Sequence, residues 1–294
     1  MIDISVFALK LIALCSMLID HVGFFLYPRF APYSVTHILR TAGRTAFPVF
    51  AFLIVNGYGK TRDVRRYLTR LTSFALISQV PFSLFYDWKA AALSGVRFSL
   101  TGPWPLGQLG LIAFVAAVWL LTVRRDGSVL WPVLALLAGI CRLTVGPVTL
   151  LGNHLNVFYT LALGLACVSI LDRALKPGAQ LLPLLAQAAA AAAVFLLIRG
   201  TADYGYLGAA LIISLFLCRD KPASQALLLV MWAAVEYLLG GMRVEYFLFA
   251  SLSAVLALFY KGARGRPVKA FFYWAYPGHM LILGLLNLFF LLRA

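Results

Sequence analysis

The sequence predicts an all-α polytopic membrane protein, a bundle of about 10–11 transmembrane helices with a cytoplasmic N-terminus. Three observations predict it. The 294 residues are 63% hydrophobic and 12% charged, against roughly 45–50% and about 25% in soluble domains. A water-soluble fold of that composition would expose large apolar patches, whereas lipid solvates them. The apolar residues form runs long enough for spanning helices, not the alternating segments of about ten residues that a barrel needs. The basic residues sit in short segments between those runs, as in cytoplasmic loops.

Taken in order, the runs place spans at 6–28, 44–59, 69–87, 105–123, 129–145, 154–172, 181–199, 204–218, 223–240, 246–260 and 270–292. The spans at 44–59, 204–218 and 246–260 are short. The first run is not a signal peptide: its first charge is Asp3, and Asp20-His21 interrupts it. The alanine tract at 188–193 reads as close packing through small residues. No internal repeat stands out, so residues 1–294 are read as one transmembrane domain.

Every even-numbered loop carries at least two cations, which places those loops in the cytoplasm and, with eleven spans, the C-terminus outside. The net charge of +15 is spread over these loops and not gathered on one face, so nucleic acid is excluded as a partner. The bilayer is the partner that the composition implies. Cys15, Cys141, Cys167 and Cys218 form no C-x-x-C pair, and no disulfide framework or metal site is suggested. Sequence motifs for a P-loop, a dinucleotide fold, a zinc protease and a serine hydrolase are absent.

The first span holds three residues that are costly in lipid: Lys10, Asp20 and His21. Each Asp or Lys near a helix centre costs about 2.5–3.5 kcal/mol on insertion scales, so such residues face the bundle interior and carry function. Lys10 and His21 fall on one helical stripe, about 16 Å apart along the axis. Asp20 points about 100° away from His21, which favours a partner arginine on a neighbouring helix. Arg40 and Arg44 share a face if their stretch is helical, and they open the second span near the level of His21. They suit Asp20 or an anionic substrate group. Lys60, Arg62, Arg65, Arg66 and Arg70 form a dense inner loop, suited to anionic lipid or to a phosphorylated cytosolic donor. Asn153, His154 and Asn156 stand at the outer mouth of the sixth span. Pro277-Gly278 is expected to break the last span beside His279.

At these residues the chain resembles the TraX family of membrane acetyltransferases. The matching pieces are LKLIALCSMLIDH (9–21), GRTAFPVFAF (43–52), KTRDVRRYLTRL (60–71), FALISQVPF (74–82), LNVFYTLALG (155–164) and YPGHM (276–280). The family is similar to the wider transmembrane acyltransferases, including the acyltransferase-3 group, whose first helix has a basic residue, ten residues, and an essential histidine. The resemblance implies one acyltransferase domain over residues 1–294 in a bacterial inner membrane. It implies acetyl-CoA as donor substrate and a pilin N-terminus or envelope saccharide as acceptor. It implies His21 as catalytic base, with Lys10 standing in for an arginine. Asn156 and His279 fall at positions in the family's motifs and are expected on the substrate side.

The mechanism that the resemblance implies puts donor phosphates on Lys60, Arg62, Arg65, Arg66, Arg70 and Lys10, and the thioester at His21. Asp20, Arg40 and Arg44 orient His21 or the acceptor. A transporter or flippase for a small or lipid-linked anion stays open, because buried charges also line transport paths. So does a structural subunit of an envelope complex.

Overall fold

The computed structural model describes residues 3–94, 112–118, 120, 134–135, 144–145, 148–149, 154–197, 202–240, 243–291 and 293. The described chain is helical apart from a two-residue antiparallel pair, Thr144–Val145 with Val148–Thr149. The expected spans at 105–123 and 129–145 lie mostly outside the described residues. Residues 112–118 are helical, and residues 144–145 are extended and not the end of a helix. The chain is a helical, multi-pass membrane protein. Four segments are long and apolar enough to cross a bilayer among the described residues: Val6–Leu26, Tyr33–Gly59, Val157–Ala174 and Pro222–Leu239. Shorter apolar helices accompany them.

Two compact units divide the chain, residues 1–60 with 211–279 and residues 61–210 with 280–294. In the first unit, α1 (Val6–Leu26) begins where Ser5 Oγ accepts a bond from the N–H of Ala8, satisfying one orphan donor of the first turn. Leu9, Ala13 and Leu14 are buried, whereas Leu11, Ile12, Ile19 and Val22 are exposed. An exposed apolar stripe opposite a buried one that includes Asp20 and His21 is the arrangement lipid demands.

The second span starts well before residue 44. α2 (Tyr33–Ala42), a 3-10 turn (Gly43–Thr45) and α3 (Ala46–Gly59) follow one another without a break. The polar residues Thr36, His37, Arg40 and Thr41 had disguised α2 as loop. α1 packs on α2 and α3. The close approach needs glycine: a Cβ on Gly23 would lie 2.8 Å from Leu39 Cβ. Ser16 Oγ donates to Ala42 O at 2.5 Å. α8 (Pro222–Gly240) and α9 (Val244–Leu258) form a tight pair, and α9 also packs on the 3-10 turn. There Thr45 Oγ1 donates to Phe249 O at 2.7 Å.

The second unit pairs α4 (Val64–Ser94) with α5 (Val157–Ala174), and α5 with α6 (Leu181–Leu197). The helix α7 (Gly205–Leu217) starts in this unit and ends in the first. The last helix, α10 (Lys269–Leu291), starts in the first and ends in the second. It corrects an expectation: Pro277-Gly278 does not break the last span, because the helix runs on through Pro277. A proline in a spanning helix is tolerated when other groups take up the freed backbone.

Candidate functional site

Asp20 and His21 are neighbours on α1, and the helix sends them to different partners. Asp20 faces the second span. Its Oδ1 and Oδ2 accept from Arg44 Nη2 at 3.1 and 3.2 Å, and Arg40 Nε lies 3.6 Å from Oδ1. Arg44 Nε in turn donates to Arg40 O at 3.2 Å, and its guanidinium lies 5.3 Å from the centre of the Tyr246 ring on α9. Asp20 is 8% exposed, and a single carboxylate there answers two arginines. Gly43 makes the approach possible, since a Cβ at that position would collide with Asp20 Cβ.

His21 faces α10. Its Nδ1 lies 2.6 Å from Nε2 of His279, and His279 Nδ1 lies 2.6 Å from Ala275 O. The two ring planes are 14° apart with centres 4.9 Å apart. The separation of centres exceeds the nitrogen contact by about two ring radii, so the rings meet edge to edge and do not stack face to face. A carbonyl oxygen only accepts, so His279 Nδ1 carries a proton. In the neutral pair His279 Nε2 is then an acceptor, His21 Nδ1 is the donor, and His21 Nε2 is the basic nitrogen. The backbone of α10 thus sets the tautomer of a ring on α1 through one intervening imidazole. Tyr276 lies edge-on to both rings, with centres 6.3 Å from His21 and 5.6 Å from His279.

His21 is 6% exposed, and Arg40 and Arg44 lie within electrostatic range of it. The site therefore joins a basic nitrogen to a positive field, which suits a reaction that develops negative charge on oxygen.

The placement of the expected residues is uneven. His21, His279, Arg40, Arg44 and Asp20 converge within the first unit. Asp20 takes the arginine partners expected of it, as counter-ion of Arg44 and Arg40, and does not orient His21 directly, because His279 occupies Nδ1 of His21. The 100° between successive helical residues is the reason. Lys10 lies on the same face as His21: its Nζ is 5.6 Å from the Phe272 ring of α10. Lys60 Nζ donates to the Tyr260 hydroxyl at 2.6 Å. Arg62, Arg65, Arg66 and Arg70 are exposed in the second unit. Arg66 pairs with Asp63 at 3.0 Å, and Arg70 lies 5.8 Å from the Tyr67 ring.

Asn156 is fully buried in the second unit, and its side chain has structural partners. Oδ1 caps α5 by accepting from Phe158 N, and Nδ2 donates to Ala75 O at 2.7 Å and Gln79 Oε1 at 2.8 Å. The expectation of a substrate contact gives way to a helix cap that ties α5 to α4. His154 is exposed, and its carbonyl accepts from Gln79 Nε2 at 2.8 Å.

Four residues of the neighbourhood escaped the sequence reading: His37, Glu236, Tyr246 and Tyr276. Glu236, on α8, lies within electrostatic range of Arg44. His37 lies parallel to Tyr246, with centres 5.2 Å apart, and edge-on to Tyr33. Its Nε2 is buried with no hydrogen-bond partner among the described residues. Tyr33, His37, Arg40 and Arg44 recur at helical spacing, a signal legible once 33–44 is read as helix.

The TraX protein family matches residues 5–145 and 96–287. A probable fimbrial assembly protein FimC, serogroup H1, from Dichelobacter nodosus is 34% identical over 132 residues, 43% of this chain and 48% of that protein. The chain thus spans about half the length of the curated relative it matches. No solved structure matches. With the family match running from the histidine of α1 to that of α10, the chain belongs to the TraX family.

Proposed function

We propose that the chain is an integral membrane acyltransferase. It moves an acetyl group from cytosolic acetyl-CoA to an amine or hydroxyl at the outer side of the membrane, with His21 as general base. The observation that carries this reading is the hydrogen-bonded line Ala275 O, His279, His21. A buried imidazole pair with a fixed tautomer is not needed for packing, and it presents one basic nitrogen.

The acceptor N–H or O–H gives its proton to His21 Nε2 while its heteroatom attacks the thioester carbonyl. The charge that develops on the carbonyl oxygen is stabilised by Arg40 and Arg44, which lie within range of the ring. The tetrahedral intermediate collapses, the C–S bond breaks, and the CoA thiolate recovers the proton from His21. Acetylated acceptor and CoA thiol are the products. His279 touches neither substrate in this scheme and acts as a positioning residue. General base catalysis of this kind contributes about 10²–10⁴-fold.

The family membership and the fimbrial relative favour a pilin N-terminal amine as acceptor. An envelope saccharide hydroxyl fits the same chemistry. The bacterial inner membrane follows from a cytosolic donor and an outer acceptor. The test uses purified full-length protein in liposomes with acetyl-labelled CoA. Release of CoA thiol with transfer of label to a pilin peptide or a saccharide supports the enzyme. Counterflow of label without thiol release points to the transporter instead.

A further inference from the structure

The helices that carry the two histidines start at one place. The loop 259–268 leads directly into α10, and it is bonded to the start of α1. Ile4 N donates to Phe259 O at 2.9 Å, Val6 N to Ala263 O at 2.8 Å, and Lys261 N to Asp3 Oδ1 at 2.9 Å. Gly265, at φ +69°, lies against the cap of α1: a Cβ there would stand 2.8 Å from Ser5 Oγ and 2.7 Å from Phe7 Cβ. The helices then run in the same direction. Phe7 meets Phe272 near both starts, at 5.9 Å between ring centres, and His21 meets His279 further along.

That shared start is strongly basic. The loop and the first residue of α10 supply Lys261, Arg264, Arg266 and Lys269, all exposed. Lys60 is tethered to Tyr260 and lies 3.7 Å from where a Cβ of Gly262 would be. Lys10 reaches the first turn of α10 at Phe272. Loop 259–268 has no acidic residue, and Asp3 is the carboxylate bonded to it. Arg66, by contrast, is already paired with Asp63.

We propose that loop 259–268, with Lys10, Lys60 and Lys269, is the docking site for the nucleotide phosphates of the thioester donor, at the common start of the two histidine helices. This rests on the transferase reading above. The distances agree with it. Lys10 to His21 along α1 is about 16 Å, and Lys269 to His279 along α10 is about 15 Å. Both are of the order of the extended arm that joins the diphosphate of CoA to its sulfur. The ligand chemistry is a phosphate group, which an anionic lipid headgroup also offers, so the test separates the two.

The full chain is reconstituted in phosphatidylcholine nanodiscs, and its affinity for CoA and for dephospho-CoA is measured. In the Arg264→Gln/Arg266→Gln double variant, CoA binding weakens about tenfold or more, as expected for two lost charge-assisted contacts. Its preference for CoA over dephospho-CoA shrinks, and a raised KM accounts for lost turnover. Arg264→Lys/Arg266→Lys keeps most of the affinity, which shows that charge and not fold is at issue. Wild-type CoA affinity in the Gln variant overturns the inference alone. So does an unchanged CoA affinity with lost enrichment of phosphatidylglycerol in a parallel set of mixed phosphatidylcholine–phosphatidylglycerol nanodiscs, which assigns the loop to lipid. A wild-type chain that fails to bind CoA overturns both the inference and the transferase reading.

Discussion

His21 Nδ1 and His279 Nε2 lie 2.6 Å apart although 258 residues separate them in the chain. That contact, with the bond from His279 to Ala275 O, decides which nitrogen of His21 is basic. Removing His279 should therefore harm the base without removing it. His279→Ala should lower kcat about 10–100-fold with little change in KM, since a misplaced base costs rate and not binding. His279→Gln offers an acceptor oxygen near the former Nε2 and should restore part of the loss. Steady-state kinetics on both variants check this, because a purely structural role would give no rescue.

The ion pair at Asp20 makes a different prediction. Asp20→Ala removes the carboxylate that half-buried Arg40 and Arg44 share and should cost about 1–3 kcal/mol of stability. Asp20→Asn keeps an acceptor for Arg44 and should cost less. Combining Asp20→Ala with Arg44→Ala should recover part of the loss, so that the double mutant is less destabilised than the sum of the singles. Unfolding in detergent measures all four proteins.

Gly43 tests the same pair through the backbone. A methyl group at this position would collide with Asp20 Cβ. Gly43→Ala should therefore separate α1 from the turn that carries Arg44, at a cost of about 1–3 kcal/mol. Activity should fall with it. A control at Gly59, where a Cβ would meet nothing within 4 Å, should leave the unfolding midpoint near wild type.

Asn156 separates structure from chemistry. Asn156→Ala removes a helix cap and the side-chain donor to Ala75 O, while the backbone N–H of residue 156 still donates to Gln79 Oε1. Stability should fall by about 2–3 kcal/mol. Turnover per folded molecule should stay at the wild-type level, measured after correcting for the folded fraction.

The membrane class and most helix positions were legible because apolar run length is a direct readout of bilayer thickness. Observed helices such as Leu181–Leu197 and Pro222–Gly240 lie within a few residues of the expected spans. The stripe that joins Lys10 to His21 was legible too, because helical periodicity fixes a face without knowledge of its neighbour. What faces it was not. His279 stood out as a polar residue in a span, but its contact with His21 is tertiary. Two expectations failed for local reasons. Tyr33–Ala42 falls outside the expected spans because its inward face is polar, so hydropathy misses it. The last span was read as broken at Pro277, although a proline ends a helix only where nothing else satisfies the freed carbonyl. Asn156 looked like a site residue for the same reason that it makes a good cap: it is a lone amide at the edge of an apolar run.

The most direct measurement is the rate of CoA thiol release from acetyl-CoA by purified His21→Ala protein in the presence of a pilin peptide or saccharide acceptor that wild type acetylates. The account predicts a fall of about a hundredfold or more, with the unfolding midpoint and CoA affinity kept near wild type. Release and transfer at the wild-type rate would contradict it.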